Sequence, residues 1–174
     1  ERQAGDIKSM VDEFAAFARV PKPVMEPIDL RDVVQEPVIL FRESHPAITY
    51  DLILPEEPVV GLFDRRLITQ AVTNLVKNAT EAVEQAAEEA ESGWSGHIEA
   101  ILRVADGQVM IELIDNGVGL PKQNRSRLLE PYVTTKGTKG TGLGLAIVQK
   151  IVEQHNGMLT LEDAPPGPNR SRGA

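Results

Sequence analysis

The chain has 174 residues, of which 41% are hydrophobic and 25% are charged, so it is long enough for one domain with a sizeable core. Its net charge of −8 argues against a protein that binds nucleic acid through a general basic surface, and the absence of cysteine excludes disulfides and thiolate chemistry. No apolar run approaches the roughly 18 residues that a membrane-spanning helix needs.

The chain opens with a predicted amphipathic helix over residues 1–19. Its apolar residues recur at the spacing of a single helical stripe: Ile7, Met10, Val11, Phe14, Phe17 and Ala18. The stripe favours one side of a helical bundle, with packing on the chain's own domain as the alternative. Pro21, Pro23 and Pro27 then predict a stiff linker, because proline cannot continue a helix.

A second helix and two short strands are predicted next. Asp29 is suited to cap a helix that runs to Phe41, and Pro37 is expected to kink or restart that helix. Alternating apolar residues predict strands near Ile48–Leu54 and Val59–Leu62, which prolines separate.

A long helix and a hairpin occupy the middle of the chain. Asp64 is the predicted N-cap of a helix that continues to about Ala90. Two alternating runs, His97–Val104 and Val109–Asp115, flank Asp106-Gly107, which is a strong signal for a β-hairpin.

A glycine-rich segment, residues 136–145, leads into an apolar helix predicted to begin near Leu143 and to end at Asn156-Gly157. Free backbone amides beside a helix N-terminus form a natural anion site, although a flexible connector is the alternative. Basic residues between Pro121 and Gly144 are suited to binding a small polyanion. The alternative is that they belong to an ordinary charged surface loop. They are Lys122, Arg125, Arg127, Lys136 and Lys139, against Glu130 alone.

The end of the chain and the overall pattern complete the fold prediction. A last strand is predicted over Met158–Glu162, followed by a Pro/Gly/Arg-rich tail that is expected to be disordered or truncated. Helices and strands mix around a hairpin rather than alternating strictly, so the predicted class is α+β, with helices layered on one face of a mixed sheet.

Polar side chains mark one face of the long helix. Asn74 and Asn78 lie one turn apart, opposite the apolar face, and asparagine is a poor helix former. A carboxamide oxygen is a suitable ligand for Mg²⁺, which also retains waters and shares phosphate oxygens. The alternative is a pair of ordinary surface asparagines.

A second signal follows the hairpin. Asp115 continues the register of Val109, Ile111 and Leu113, so its carboxylate is aimed at the core face and needs a hydrogen-bond partner. Such a carboxylate suits an exocyclic amine such as that of adenine, and the glycines within residues 117–119 would open the backbone around it. A simple turn after a strand is the alternative.

Together these signals resemble the catalytic, ATP-binding domain of sensor histidine kinases in the GHKL superfamily, most closely the nitrogen-regulation type whose full form is membrane-bound. Residues 74–79 resemble the N box, 115–119 the G1 box, 130–136 the F box and 140–145 the G2 box, in the family's order. The resemblance covers roughly residues 24–163. It implies a two-layer α/β sandwich of the Bergerat type, preceded by an N-terminal helix.

The resemblance also implies roles for individual residues. Asn78, helped by Asn74, would hold Mg²⁺ against the triphosphate of ATP, and Lys77 would add charge on the phosphate side. Asp115 would read the adenine amine. The remaining nucleotide contacts implied are Gly117, Gly119, Tyr132, Thr135, Lys136, Gly140, Thr141, Gly142, Leu143 and Gly144, in part within a lid over residues 120–140.

The resemblance further implies a division of the chain and a set of partners. Residues 1–20 would end the dimerisation helix, 21–28 would form the linker and first strand, 29–163 the catalytic domain, and 164–174 the tail. The partners would be the protein's own dimerisation helices, in a homodimer, and a response-regulator receiver domain. This domain would be cytoplasmic without direct membrane contact, in a protein anchored in the bacterial inner membrane.

Some features depart from the family pattern. None of the three histidines lies in the helical context of a phosphoacceptor, so the acceptor is expected elsewhere in the protein. Glu81 stands where many relatives carry a basic residue. A GHKL ATPase that drives conformational change is one alternative, but such proteins carry a glutamate base where this chain has Asn74. A non-catalytic nucleotide-binding interaction module is the other.

Overall fold

The computed structural model describes residues 11, 12, 14, 15, 18, 21–133, 142–167 and 173–174. Its elements follow in the order β1 (Glu26–Asp29), α1 (Leu30–Ser44), β2 (Ile48–Ile53), β3 (Val60–Phe63), α2 (Arg65–Glu88), β4 (Gly96–Ala105), β5 (Gln108–Asp115), a 3₁₀ turn (Arg125–Leu129) and α3 (Gly144–Gln154). The predicted mixture of helices with a mixed sheet is confirmed.

The strands form two sheets. In the larger sheet β2 pairs parallel with β4, and β4 pairs antiparallel with β5; β1 and β3 form a separate antiparallel pair. The β4–β5 hairpin turns at Asp106 and Gly107, whose φ angles are +52° and +74°. Two successive left-handed residues match the right-handed twist of a hairpin, so the turn predicted from the Asp-Gly pair is confirmed.

The core lies between the three-stranded sheet and the helices. Alternate residues of β4 (Ile98, Ala100 and Leu102) are buried on the helix-facing side, as the period of two requires. The helices contribute apolar stripes to the same core: Val33, Val34 and Val38 from α1, Val72, Val76, Ala79 and Val83 from α2, and Ile147, Val148 and Ile151 from α3.

Helix α1 begins as predicted but ends three residues later than predicted. The Asp29 carboxylate caps it by accepting a hydrogen bond from the Arg31 backbone N–H at 3.1 Å. The helix passes Pro37 without a restart and reaches Ser44 instead of Phe41. Pro37 is itself buried on the apolar stripe, so packing on both sides of it offsets the single backbone hydrogen bond that proline removes.

Asp64 joins three parts of the chain. Its side chain caps α2, as predicted, by accepting from the Leu67 N–H at 3.0 Å, and it also accepts from the Val24 N–H of the linker at 2.8 Å. Burial alone would raise the pKa of Asp64, but these two backbone donors, together with the charges of Arg66 and His155, outweigh it and the net shift is downward.

The backbone N–H of Asp64 donates to His155 Nε2 at 3.0 Å, just beyond the end of α3. Because Nε2 accepts that bond, the proton of the neutral His155 ring sits on Nδ1, which lies 2.7 Å from the Ile151 carbonyl. This histidine is therefore a packing and hydrogen-bonding residue that joins the start of α2 to the end of α3.

The strand predicted over Met158–Glu162 is wrong. This segment pairs with no strand among the described residues, and Met158 is 84% exposed. Leu159 still packs against the core, so this segment has one buried side but no strand partner among the described residues. Further on, Ala164 N–H donates to the Gly173 carbonyl, and Asp115 N–H donates to the Ala174 carbonyl at 2.6 Å.

The N-terminal segment is described only in part. Residues 11, 12, 14, 15 and 18 are helical, and the rest of the predicted stripe lies outside the described residues. Val11 and Phe14 expose 59% and 50% of their surface. Within the described part of the chain, no helix has both the length and the apolarity needed to cross a bilayer.

Candidate functional site

The two asparagines of α2 lie on the same side of the helix and are both half-buried. Their separation of one helical turn brings their carboxamides side by side, as predicted. The Nδ2 atom of Asn74 is buried and, among the described residues, has no hydrogen-bond partner. A buried polar atom without a partner is costly, so Asn74 is suited to a group that arrives from outside the protein.

Asn78 lies against the beginning of α3. A Cβ atom built on Gly144, the first residue of α3, would be 3.7 Å from Asn78 Nδ2 and 3.9 Å from Asn78 Oδ1. The N-terminus of a helix carries a partial positive charge and free amide groups. The structure therefore brings the predicted Mg²⁺ ligand and the predicted anion site together, although they are far apart in the chain.

Asp115 is the last residue of β5, and its side chain lies on the buried face that the strand register predicts. It pairs with Ile98 of β4 and is only 6% exposed. Its Oδ1 atom accepts a hydrogen bond from the Gly117 N–H at 2.8 Å. The carboxylate is thus buried and held in a defined direction by the turn that follows the strand.

That turn packs directly on α2. A Cβ on Gly117 would lie 2.5 to 2.7 Å from backbone atoms of Ala82 and Val83, and the Val118 N–H donates to the Ala82 carbonyl at 3.2 Å. Ala82 is one helical turn beyond Asn78, about 6 Å along the helix axis. The Asp115 turn, Asn78 and the start of α3 therefore adjoin the same stretch of α2.

The glycines of this turn have different physical roles. The sequence interpretation assigned both Gly117 and Gly119 to the approach of a base, but Gly117 is required by its contact with the backbone of α2. Gly119 has a φ angle of +79°, which side chains rarely adopt. The part that both glycines would play in the approach of a base stays a prediction.

The described part of the F-box segment, residues 130–133, meets the described part of the G2-box segment, residues 142–145. Tyr132 N–H donates to the Gly142 carbonyl at 3.0 Å, and Gly142 has a φ angle of +69°. Tyr132 itself has a φ angle of +66° and is 61% exposed. A left-handed aromatic residue is strained, and such strain is common at functional loops.

Other predicted residues divide into three groups. Leu143 is buried in the core, so only its backbone is available to a ligand. Lys77 is exposed, and its Nζ lies 4.0 Å from Glu81 Oε1. Thr135, Lys136, Gly140 and Thr141 lie outside the described residues, so their predicted roles stay predictions.

Sequence reasoning gave no role to Asn116, although its side chain is among the few buried polar ones. Asn116 is 3% exposed. Its side chain forms hydrogen bonds with the backbone of His97 in β4 and with the backbone of Ser95, which directly precedes β4. An asparagine between Asp115 and Gly117 reads as an ordinary turn residue, so the sequence offered no signal for this contact.

Comparison with known proteins agrees with this arrangement. Residues 63–173 match the family model for histidine kinase-, DNA gyrase B- and HSP90-like ATPases. The chain belongs to this family. The relatives found within it include sensor histidine kinases, so the predicted family and fold type are confirmed.

Two curated relatives and one solved structure illustrate this similarity. The nitrogen regulation protein NtrY of Azorhizobium caulinodans is 48% identical over 166 residues, covering 95% of this chain and 21% of that protein. The sensory histidine kinase/phosphatase NtrB of Rhodobacter capsulatus is 34% identical over 91% of this chain and 46% of its own length.

The structure of the mycobacterial sensor histidine kinase MprB aligns with a TM-score of 0.71 at 26% identity, over 86% of this chain and 93% of that one. The chain thus spans about a fifth of NtrY and about half of NtrB, but nearly all of the MprB structure. It corresponds to the ATPase-type domain of such kinases.

Proposed function

We propose that the chain is the ATP-binding catalytic domain of a two-component sensor histidine kinase of the nitrogen-regulation type. The observation that supports this most directly is the contact of Asn78 with the start of α3, with the Asp115 turn packed one helical turn further along α2. A nucleotide held between these groups would meet a base-reading carboxylate at one end and amides at the other.

Adenine recognition is assigned to Asp115, whose carboxylate would accept a hydrogen bond from the exocyclic amine. The triphosphate would meet the backbone at Gly142 and Gly144, where the helix dipole favours negative charge. Several further contacts are part of the proposal because the family resemblance implies them: Lys77, Gly117, Gly119, Tyr132, Thr135, Lys136, Gly140, Thr141 and the backbone of Leu143.

Mg²⁺ would be held by Asn78 with help from Asn74. The described residues contain no cluster of three or more His, Cys, Asp or Glu side chains that could hold a metal, so the ligands would be carboxamide oxygens, phosphate oxygens and water. The unpartnered atom of Asn74 is its amide nitrogen Nδ2, a donor that would suit a phosphate oxygen, so any contact of Asn74 with the ion would be made through Oδ1. The ion would neutralise charge that develops during phosphoryl transfer.

The reaction proposed is transfer of the γ-phosphoryl group of ATP to a histidine on a dimerisation helix outside the described residues, and then to an aspartate of a response regulator. Asn74, Asn78 and Lys77 would position the triphosphate and balance its charge, because phosphoryl transfer needs mainly positioning and electrostatic stabilisation. The domain is proposed to be cytoplasmic, within a homodimeric protein anchored in the bacterial inner membrane.

Replacing Asp115 by Asn tests the site. In the variant, an NH2 group can face the adenine amine in place of a carboxylate oxygen, so two donors meet. Losing a hydrogen bond to a charged group costs about 1.5–3 kcal/mol. The MgATP affinity measured by calorimetry should therefore fall by roughly tenfold or more. Asp106→Asn is the matched control, since Asp106 lies in the exposed left-handed hairpin turn, which asparagine tolerates. Equal affinity of the Asp115→Asn variant and the control would contradict the site.

A second experiment distinguishes the kinase from an ATPase that drives conformational change. The chain is mixed with radiolabelled ATP and an acceptor protein that carries the dimerisation helices. Acid-labile, base-stable labelling of the acceptor supports the kinase assignment. Steady phosphate release without any acceptor, and no such labelling, would instead support the ATPase.

A further inference from the structure

We propose that Asn116 is a positioning residue that holds the Asp115 carboxylate in the direction needed to discriminate adenine from other purines. This inference rests on the proposed nucleotide-binding function and extends it to a residue outside the assigned site. Asn116 acts through its neighbour and through the backbone of β4.

Both ends of the Asn116 carboxamide are satisfied by the backbone of one strand region. Its Oδ1 accepts from the His97 N–H at 2.8 Å, and its Nδ2 donates to the Ser95 carbonyl at 2.8 Å. Its own N–H donates to the His97 carbonyl at 3.2 Å. These bonds lie just past Ile98 and Asp115, the last residue pair of the β4–β5 ladder, so the side chain continues the ladder where the strand has ended.

The chain leaves the sheet directly after Asn116 and docks on α2. Gly117 fits against the backbone of Ala82, and the Val118 N–H is bonded to the Ala82 carbonyl. The turn is therefore clamped to β4 by Asn116 and to α2 by Val118. Between the two clamps, the Gly117 N–H donates to Asp115 Oδ1.

The position requires a side chain that both donates and accepts at short reach. Alanine would leave the His97 N–H and the Ser95 carbonyl without their side-chain partner, and aspartate would set a carboxylate against the Ser95 carbonyl. With only the backbone bond from the Asn116 N–H to the His97 carbonyl left on β4, the Gly117 N–H is held less firmly, and the carboxylate that it orients gains freedom. The base-reading contact then weakens for adenine specifically.

The test is the ratio of affinities for MgADP and MgIDP, measured by calorimetry on the 174-residue chain. Inosine carries a carbonyl where adenosine carries the exocyclic amine, so the ratio reports how well Asp115 is aimed. Asn116→Ala should lower the preference for MgADP by about fivefold or more, since one well-made hydrogen bond to a charged group is worth at least that factor.

Tyr50→Phe is the control for lost stability. Tyr50 is buried in β2, and its hydroxyl lies 2.8 Å from Thr80 Oγ1. Thr80 donates its own proton to the Val76 carbonyl at 2.8 Å, so the Tyr50 hydroxyl is the donor in this pair. The control therefore removes a buried hydrogen bond outside the assigned site, and its MgADP/MgIDP ratio should equal that of the unmodified chain.

The outcomes separate the inference from the function on which it rests. If Asn116→Ala weakens both nucleotides equally and leaves the ratio unchanged, Asn116 is only structural and the inference is overturned. If Asp115→Asn also leaves the ratio unchanged, the proposed adenine site fails as well. If Asn116→Ala does not fold, Asn116→Ser takes its place, because a serine hydroxyl can replace one of the two side-chain bonds. Its MgADP/MgIDP affinity ratio should lie between that of the unmodified chain and unity. An unchanged ratio would again overturn the inference.

Discussion

Replacing Gly117 by alanine tests the contact that joins the Asp115 turn to α2. The added Cβ would lie 2.5 Å from the carbonyl carbon of Ala82, 2.6 Å from its oxygen and 2.7 Å from the nitrogen of Val83. These are backbone atoms in the middle of a helix, so they cannot move aside as the end of a flexible side chain could. The turn must shift away from α2.

The expected loss of stability follows from two contributions. Overpacking at a buried site typically costs about 1–3 kcal/mol. Moving the turn also weakens the hydrogen bond from Val118 to the Ala82 carbonyl, worth about 1 kcal/mol. Together they predict a decrease of roughly 2–4 kcal/mol in the free energy of unfolding, and weaker MgATP binding because Asp115 moves with the turn.

Urea unfolding provides the assay, with Gly107→Ala as the matched control. Gly107 has a φ angle of +74°, but a Cβ there would meet nothing within 4 Å, so the control carries conformational strain without a steric contact. Strain of that kind costs about 1–2 kcal/mol. Gly117→Ala should lower the urea midpoint more than Gly107→Ala at equal slope. If Gly117→Ala is destabilised no more than Gly107→Ala and still binds nucleotide normally, the packing argument is refuted.

Two further predictions concern stability. The Arg31 guanidinium lowers the pKa of Asp29 to about 2 through its hydrogen bonds, so this contribution to stability is complete above about pH 4 and is lost as the pH falls towards 2. In urea unfolding at a series of pH values, Asp29→Asn should therefore lose less stability below pH 4 than the unmodified chain, and parallel acid curves would contradict this. Asp64→Ala should lower the free energy of unfolding by about 2–3 kcal/mol, because the N-cap of α2 and the acceptor for Val24 N–H are both removed. The exposed Glu56→Ala should change it by less than about 0.5 kcal/mol, and a similar value for both variants in thermal unfolding would show that the buried cap contributes little.

Local chemistry explains why several elements could be predicted from sequence. The Asp64 cap depends on one side chain reaching an N–H three residues later, and the Asp106-Gly107 turn depends on two adjacent residues that tolerate positive φ. The spacing of Asn74 and Asn78 follows from the helical period alone. These features require no knowledge of what packs nearby.

The errors occur where a local pattern needs a distant partner. The segment predicted as a strand over Met158–Glu162 has one side packed on the core, but a strand also needs a neighbour with which to pair. The choice between a kink and a restart at Pro37 likewise depends on what packs against it; the restart is not observed, because α1 has a buried stripe on both sides of the proline. Periodicity alone does not reveal either partner.

By itself, the sequence determined most of the helices and strands, the family motifs and the chemical types of the groups that could read adenine or bind an anion. Only the tertiary structure decided that Asn78 adjoins the start of α3, that Gly117 docks on the α2 backbone, and that the Asn116 side chain extends β4. The physical reason is range: caps, turns and periodicity act over a few residues. The contacts that assemble the site join residues that are far apart in the chain and become close only when the sheet and helices share one core.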